Sequence, residues 1–324
     1  MSAVALAVTV AGALAIGSVP LAPGEVLGAL VRGVGGRLDG VHDTIVWHVR
    51  LPRVLLAATV GAGLALAGSA FQAVFRNPLA DPYLLGAASG AGFGAAVAMV
   101  YGASLPWTVQ VMPAAFVAAL ATVAAVVLLA RRGGRLPIVS LILAGVVLGS
   151  SLSAGTSFVM LAARERTAGV LSWLLGSFAY ADAADLARLV PLVLAALIGG
   201  VWAHRGFDLL QAGEPAARLL GLPVERFKWT VVAGATLVTA AAVAAVGVIG
   251  FVGLIVPHAV RLAFGPEHHR LVPLSALWGA AFLVAADLAA RTVLAPVEIP
   301  VGVVTALIGG PFFLLLLRRG REPA

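Results

Sequence analysis

Apolar residues run along this chain in blocks of about 18–24, too continuous for the period-two alternation of barrel strands. A backbone surrounded by lipid must close its own hydrogen bonds, so blocks of this kind are membrane-crossing helices. They fall at 2–19, 54–75, 84–104, 109–130, 137–161, 186–203, 229–248, 251–264, 273–291 and 299–317. The pattern predicts an all-α integral membrane protein, with about ten transmembrane helices in a single domain over 1–324. The first block is read as a span. Its leading residues Met1-Ser2-Ala3 lack the Lys or Arg of a secretory signal, which is the alternative.

Two stretches break the regularity. As one helix, Trp229–Phe264 would measure about 54 Å, far beyond a hydrocarbon core of about 30 Å. It contains Gly247, Gly250, Gly253 and Pro257, and Pro257 removes a backbone donor, so a full span followed by a short one is expected. Ala168–Tyr180 (AGVLSWLLGSFAY) is too short to cross and too apolar for water, which predicts a short re-entrant or interfacial helix.

Composition sharpens this picture. The chain is 61% apolar and 11% charged, with a mean hydropathy of +1.06. Soluble domains carry about 25% charge, so this chain cannot cover a water-facing surface and its main partner is membrane lipid. The net charge of +7 could suggest nucleic acid, but in a membrane protein it marks cytoplasmic loops. With ten crossings and the N-terminus inside, thirteen of the 21 Lys and Arg lie in inside loops and eight outside. Both termini are therefore expected in the cytoplasm. The absence of cysteine excludes disulfides, thiolate metal sites and cysteine nucleophiles.

Several chemistries lack their residues. The one lysine, Lys228, follows no glycine-rich loop, so there is no GxxxxGK[ST] phosphate cradle. There is no HExxH, and the tandem His268-His269 is read as a solvated loop pair. Ala87-Ala88-Ser89-Gly90 lacks the first glycine of a GxSG turn, so a membrane enzyme has no triad to stand on. Asp287 is the one carboxylate placed at a span centre, where buried charge is costly and usually functional. Arg291, one turn on, can pair with it, so an ion-coupled carrier is an alternative with little support. A passive pathway powered from elsewhere remains.

Three motif groups stand out. The first holds Arg50-Leu-Pro-Arg53 and Arg76-Asn-Pro-Leu-Ala-Asp-Pro82, followed by Gly86, Gly90 and Gly94, whose four-residue repeat suits close helix packing. On spacing alone Arg50 and Arg53 share a helix face at an outer mouth, and snorkelling to headgroups explains them as well as function does. The second is the loop Gly213–Pro223. There Pro215 opens, and Gly221 with Pro223 closes, one short helix with Ala and Leu exposed, which needs a covering partner. The third is Gly250-Phe-Val-Gly-Leu-Ile-Val-Pro-His258 with Glu298-Ile-Pro-Val-Gly302.

Together, from about Val46 to Arg319, these motifs resemble the FecCD family: permease subunits of type II, binding-protein-dependent ABC importers for iron-siderophore, haem and cobalamin complexes. The resemblance implies a homodimer in a bacterial inner (cytoplasmic) membrane, with two ATPase subunits below and a periplasmic binding protein above. It implies no cofactor in this chain, since ATP and Mg sit on the ATPase. Arg50, Arg53 and Arg291 match the family's outer arginines, which pair with glutamates of the binding protein and would set docking register and on-rate. Glu214, Pro215, Ala216, Ala217, Arg218, Leu219, Leu220 and Gly221 match its coupling helix, which fits a groove on the ATPase. The fifth span matches its pathway wall. Here that span carries Ser150, Ser151, Ser153, Thr156 and Ser157, a weakly polar surface over which a bulky chelate slides, or hydroxyls bonded back to their own helix. The Gly309-Gly310-Pro311 break gives the last span a place to bend. An iron complex is the expected cargo on the breadth of the family, with cobalamin as the alternative. Many members begin with a polar leader that this sequence lacks, so an upstream start is a further expectation.

Overall fold

The computed structural model describes residues 2–319 apart from 18, 37, 39, 103–106, 132, 164, 165 and 180. Of the residues used in the charge count, Arg37, Asp39, Arg132, Arg164, Glu165, Arg321 and Glu322 lie outside this set, as does Tyr180. The described chain is a bundle of helices: α1 (Ser2–Ala15), α2 (Pro23–Val34), α3 (Val41–Thr44), α4 (Leu51–Phe75), α5 (Ala87–Tyr101), α6 (Trp107–Ala130), α7 (Ile138–Ala162), α8 (Thr167–Leu174), α9 (Ala183–Trp202), α10 (His204–Gln211), α11 (Glu214–Leu219), α12 (Val224–Val246), α13 (Val252–Phe264), α14 (His268–Thr292) and α15 (Val301–Arg319). Six are long and apolar enough to cross a membrane, and α1, α5, α13 and α15 are shorter apolar helices.

The centre of the bundle is α4, which packs against α9, α12, α13 and α14. A Cβ on Gly61 would lie 2.2 Å from the Gly279 carbonyl, so α4 and α14 touch backbone to backbone through this glycine pair. Gly90 and Gly94 do the same for α5 against Ala118 and Ala114 of α6. A π-helical stretch, Ile45–Arg50, joins α3 to α4, so the element runs from Val41 to Phe75, 35 residues rather than the 22 expected over 54–75. Asp43, His48, Arg50 and Arg53 had hidden its first turns. Helix α2 is tied to this extension by Arg32 and Asp43, at 2.6 Å, and by the Trp47 indole donating to the Ala29 carbonyl.

The long run Trp229–Phe264 breaks in the gap expected between 229–248 and 251–264. The chain turns at Gly247 (φ 77) and Phe251 (φ 70), and Pro257 lies inside α13. Proline leaves the carbonyl four residues back without its helical donor. That carbonyl, on Gly253, accepts instead from the Gln72 side chain of α4 at 3.4 Å, as Leu254 does at 3.2 Å. The apolar piece after Ala168 is short helix α8 and a turn. Ser177 N–H donates to the Val246 carbonyl and Gly302 N–H to Leu175, so its backbone is closed by the ends of α12 and α15.

The stretch 203–228 holds more than the one short helix expected within Gly213–Pro223. It holds α10, α11 and the start of α12. His268 is no solvated loop residue: it is fully buried at the first turn of α14. Its ring Nδ1 lies 2.7 Å from Asp208 of α10, and its backbone N–H donates to the same oxygen at 3.1 Å. Asp208 thus caps α14, because the first helical N–H groups need an outside acceptor.

Candidate functional site

Three places carry the motif residues. The first is the end of the bundle where α1 and α14 finish and α4 begins. Arg53 grips Asp287 with two nitrogens, Nη2 at 2.8 Å and Nε at 3.1 Å, and reaches Glu298 at 3.0 Å. The fork-to-carboxylate geometry makes this pair strong and directional. Arg291 Nε lies 3.6 Å from the same Asp287, and its Nη2 donates to the Ala13 carbonyl. Arg50 donates to the carbonyls of Leu14 at 2.6 Å, Ala15 at 3.0 Å and Val19. Arg50 and Arg291 therefore cover the C-terminal carbonyls of α1, which have no partner within their own helix and attract positive charge.

The expectation that all three arginines face outward is corrected here. Arg50 is 4% exposed and Arg291 9%. Arg50 is held inside by carbonyls and Arg291 by a carbonyl and Asp287, and only Arg53 reaches a half-exposed partner, Glu298. Asp287, 1% exposed, is flanked by two guanidiniums rather than open to an ion.

The second place is α11. Gly213 (φ 103) and Gly221 (φ 87) flank it in backbone conformations that disfavour side chains. Arg218 bridges Glu214 at 3.0 Å and Glu225 at 3.1 Å. Lys228 joins the same two carboxylates at 3.0 and 3.2 Å and is itself only 2% exposed. It also donates to the Leu136 carbonyl, while Glu225 accepts from the Leu136 N–H. This four-residue charge cluster fixes the short helix to the base of α12 and to the α6–α7 connection. Ala217 is buried beneath it, and Leu219 and Leu220 project outward at 89% and 66% exposure.

The third is the face of α7, the expected fifth span. Ser150 and Ser153 line an open cleft of about 590 Å³ with Ser89 of α5, Gly145, Gly149 and Asp81. The Ser153 and Ser89 hydroxyls are 3.4 Å apart. Ser151, Thr156 and Ser157 bond back to the carbonyls of Val147, Leu152 and Ser153, and Thr156 is buried. Asp81, part of the Arg76–Pro82 motif, had no role of its own assigned from the sequence. It is half-buried in the α4–α5 connection, accepts from the Tyr83 N–H at 2.7 Å, and burial pushes its carboxyl up to about 6. The Asp-Pro pair that opens the turn after Arg76-Asn-Pro was the available signal. Among the described residues no cluster of His, Cys, Asp and Glu could hold a metal ion.

The sequence profile of the FecCD transport family matches residues 5–319. The chain belongs to the FecCD transport family. It is a permease subunit of the ABC transporter kind. Among its relatives, the cobalamin import system permease protein BtuC of Halobacterium salinarum is 45% identical over 284 residues, covering 86% of this chain and 75% of the relative. The hemin transport system permease protein HmuU of Yersinia pestis is 38% identical, covering 86% of this chain and 85% of the relative. A solved structure described as an inward-facing conformation of a metal-chelate type ABC transporter superposes with a TM-score of 0.85 at 32% identity, over 98% of this chain and 97% of the other.

Proposed function

We propose that this chain is one half of a homodimeric importer that carries an iron complex, a ferric siderophore or haem, across the bacterial inner membrane. Two ATPase subunits drive it and a periplasmic binding protein supplies the cargo. The six long and four shorter apolar helices support ten crossings, and the larger share of Lys and Arg in the loops on the α11 side, thirteen of 21, supports cytoplasmic termini.

The observation that carries the reading is α11. An apolar tip held rigidly by four charged side chains outside any long span is a surface built to be covered. The ATPase groove is its partner in this reading, and ATP-driven closure would move the tip and switch the pathway. The cleft with Ser89, Ser150 and Ser153 is the weakly polar wall facing the cargo, while the Ser151, Thr156 and Ser157 hydroxyls stay bonded to their own helix. At the opposite end, docking of the binding protein falls to Arg53 with Glu298. Arg50 and Arg291 hold α1 against that site and meet the binding protein only if they leave their carbonyls.

Cobalamin is the second reading, favoured by the cobalamin import permease among the relatives. The test is the cognate binding protein: the chelate that raises its melting temperature is the cargo. A ferric siderophore or haem supports the first reading, and cobalamin alone replaces it with the second.

A further inference from the structure

The end of the bundle near α11 has a second feature that no transport step uses. Between α9 and α12 an apolar groove of about 540 Å³ runs along the outside of the bundle, with Ala70 of α4 at its floor. That volume lies within the range of about 300–1,000 Å³ typical of small-molecule sites. Its walls include Gly199 of α9 with Gly234 and Leu237 of α12, and Arg226 stands at its mouth. A glycine inside a helix costs about 1 kcal/mol relative to alanine, and in membrane helices it usually lets two backbones meet. Gly199 and Gly234 meet nothing: a Cβ on either finds no atom within 4 Å. They keep the groove open rather than bring helices together.

The length is informative. From Arg226 to Leu237 the helix rises about 16 Å, close to half of a hydrocarbon core of about 30 Å. The groove is therefore one leaflet deep. The Arg226 side chain is exposed and has no hydrogen-bond or ion-pair partner among the described residues, although Glu225 beside it is fully engaged by Arg218 and Lys228. A basic group at the interface end of an apolar, leaflet-deep groove matches a phospholipid, whose phosphate lies at the headgroup level with its chain below.

We infer that this groove is a binding site for one anionic diacyl phospholipid, its phosphate on Arg226 and an acyl chain between Gly199 and Gly234. A packed helix of another protein would not answer the unpaired charge unless it brought its own carboxylate to the same height. The inference needs only that the chain lies in a membrane, and it stands whether or not the cargo is an iron complex.

The test is native mass spectrometry of the purified full chain, released from detergent after exposure to equal amounts of phosphatidylglycerol and phosphatidylcholine with identical acyl chains. The wild type is expected to retain phosphatidylglycerol in preference. Arg226→Gln should lower that retention about fivefold, the worth of one basic residue near a bilayer surface, and leave phosphatidylcholine unchanged. Gly234→Leu should displace both lipids at an unchanged melting temperature, because the added side chain enters open space. Gly199→Leu from the opposite wall should do the same. Equal retention of both lipids by the wild type, an undiminished preference in Arg226→Gln, or unchanged retention in both leucine variants would overturn the site. So would a stoichiometric protein found in the groove in place of lipid.

Discussion

The two ends of this molecule use the same materials to opposite effect. At the α1–α14 end, three arginines and a buried aspartate turn inward: Arg53 and Arg291 flank Asp287, and Arg50 closes the carbonyls of α1. At the α11 end, an arginine, a lysine and two glutamates turn sideways and lift two leucines into the open. In the first case charge is the content of the fold. In the second, charge is the pedestal and the apolar tip is left exposed. An arginine motif in a hydrophobic chain is thus no sign of an exposed contact by itself, since a helix end buried in the bundle competes for the same guanidinium.

The sharpest way to break this contrast is Asp287→Ala. It leaves two guanidiniums without their shared carboxylate, and removing one partner of a buried pair costs about 3–5 kcal/mol. The expected outcome is a large drop in melting temperature and yield, and a near-normal melting curve would show that the inward network holds nothing together. Next comes the double change Leu219→Asp, Leu220→Asp. Stability should move by no more than about 0.5 kcal/mol, because both side chains are exposed. ATP-dependent uptake should fall tenfold or more, consistent with loss of about 2 kcal/mol of docking energy.

Lys228→Met weakens the pedestal. It removes two ion pairs under α11 and should cost about 1.5 kcal/mol while also lowering uptake. Melting and uptake therefore move together, whereas the leucine changes move uptake alone. The smallest effect concerns Asp81. Its carboxyl titrates at about 6 in the folded chain against 3.8 as reference, so the fold binds that proton more tightly. The resulting stabilisation is complete below 3.8 and is lost as pH rises through about 6. Asp81→Asn keeps the acceptor for the Tyr83 N–H and should flatten this slope, seen as a smaller change in melting temperature between pH 5 and 7 than in the wild type.

Much of the fold was legible because lipid imposes long uninterrupted apolar runs. Each of the ten expected blocks holds a helix among the described residues, and the break near residue 250 falls where expected. The helix at Glu214 is bounded by Gly213 and Gly221 much as its turn residues predict. What escaped did so for physical reasons. Helix α2 is short and carries Glu25 and Arg32, so no apolar run marks it. The start of the central helix is masked by His48, Arg50 and Arg53, whose polar atoms find partners only after distant elements pack. His268 reads as loop because nothing local shows that Asp208, sixty residues earlier, will meet it. The roles of Arg50 and Arg291 were the hardest to foresee, because their acceptors are carbonyls of α1 that sequence does not mark.

The central claim is that this chain is a passive permease worked from its α11 end. Reconstitution into proteoliposomes with a purified ATPase pair and a loaded binding protein tests it most directly. ATP-dependent accumulation of the chelate should appear only when all three components are present, and should vanish with the Leu219→Asp, Leu220→Asp chain. Concentrative uptake by the chain alone under a proton gradient would contradict it.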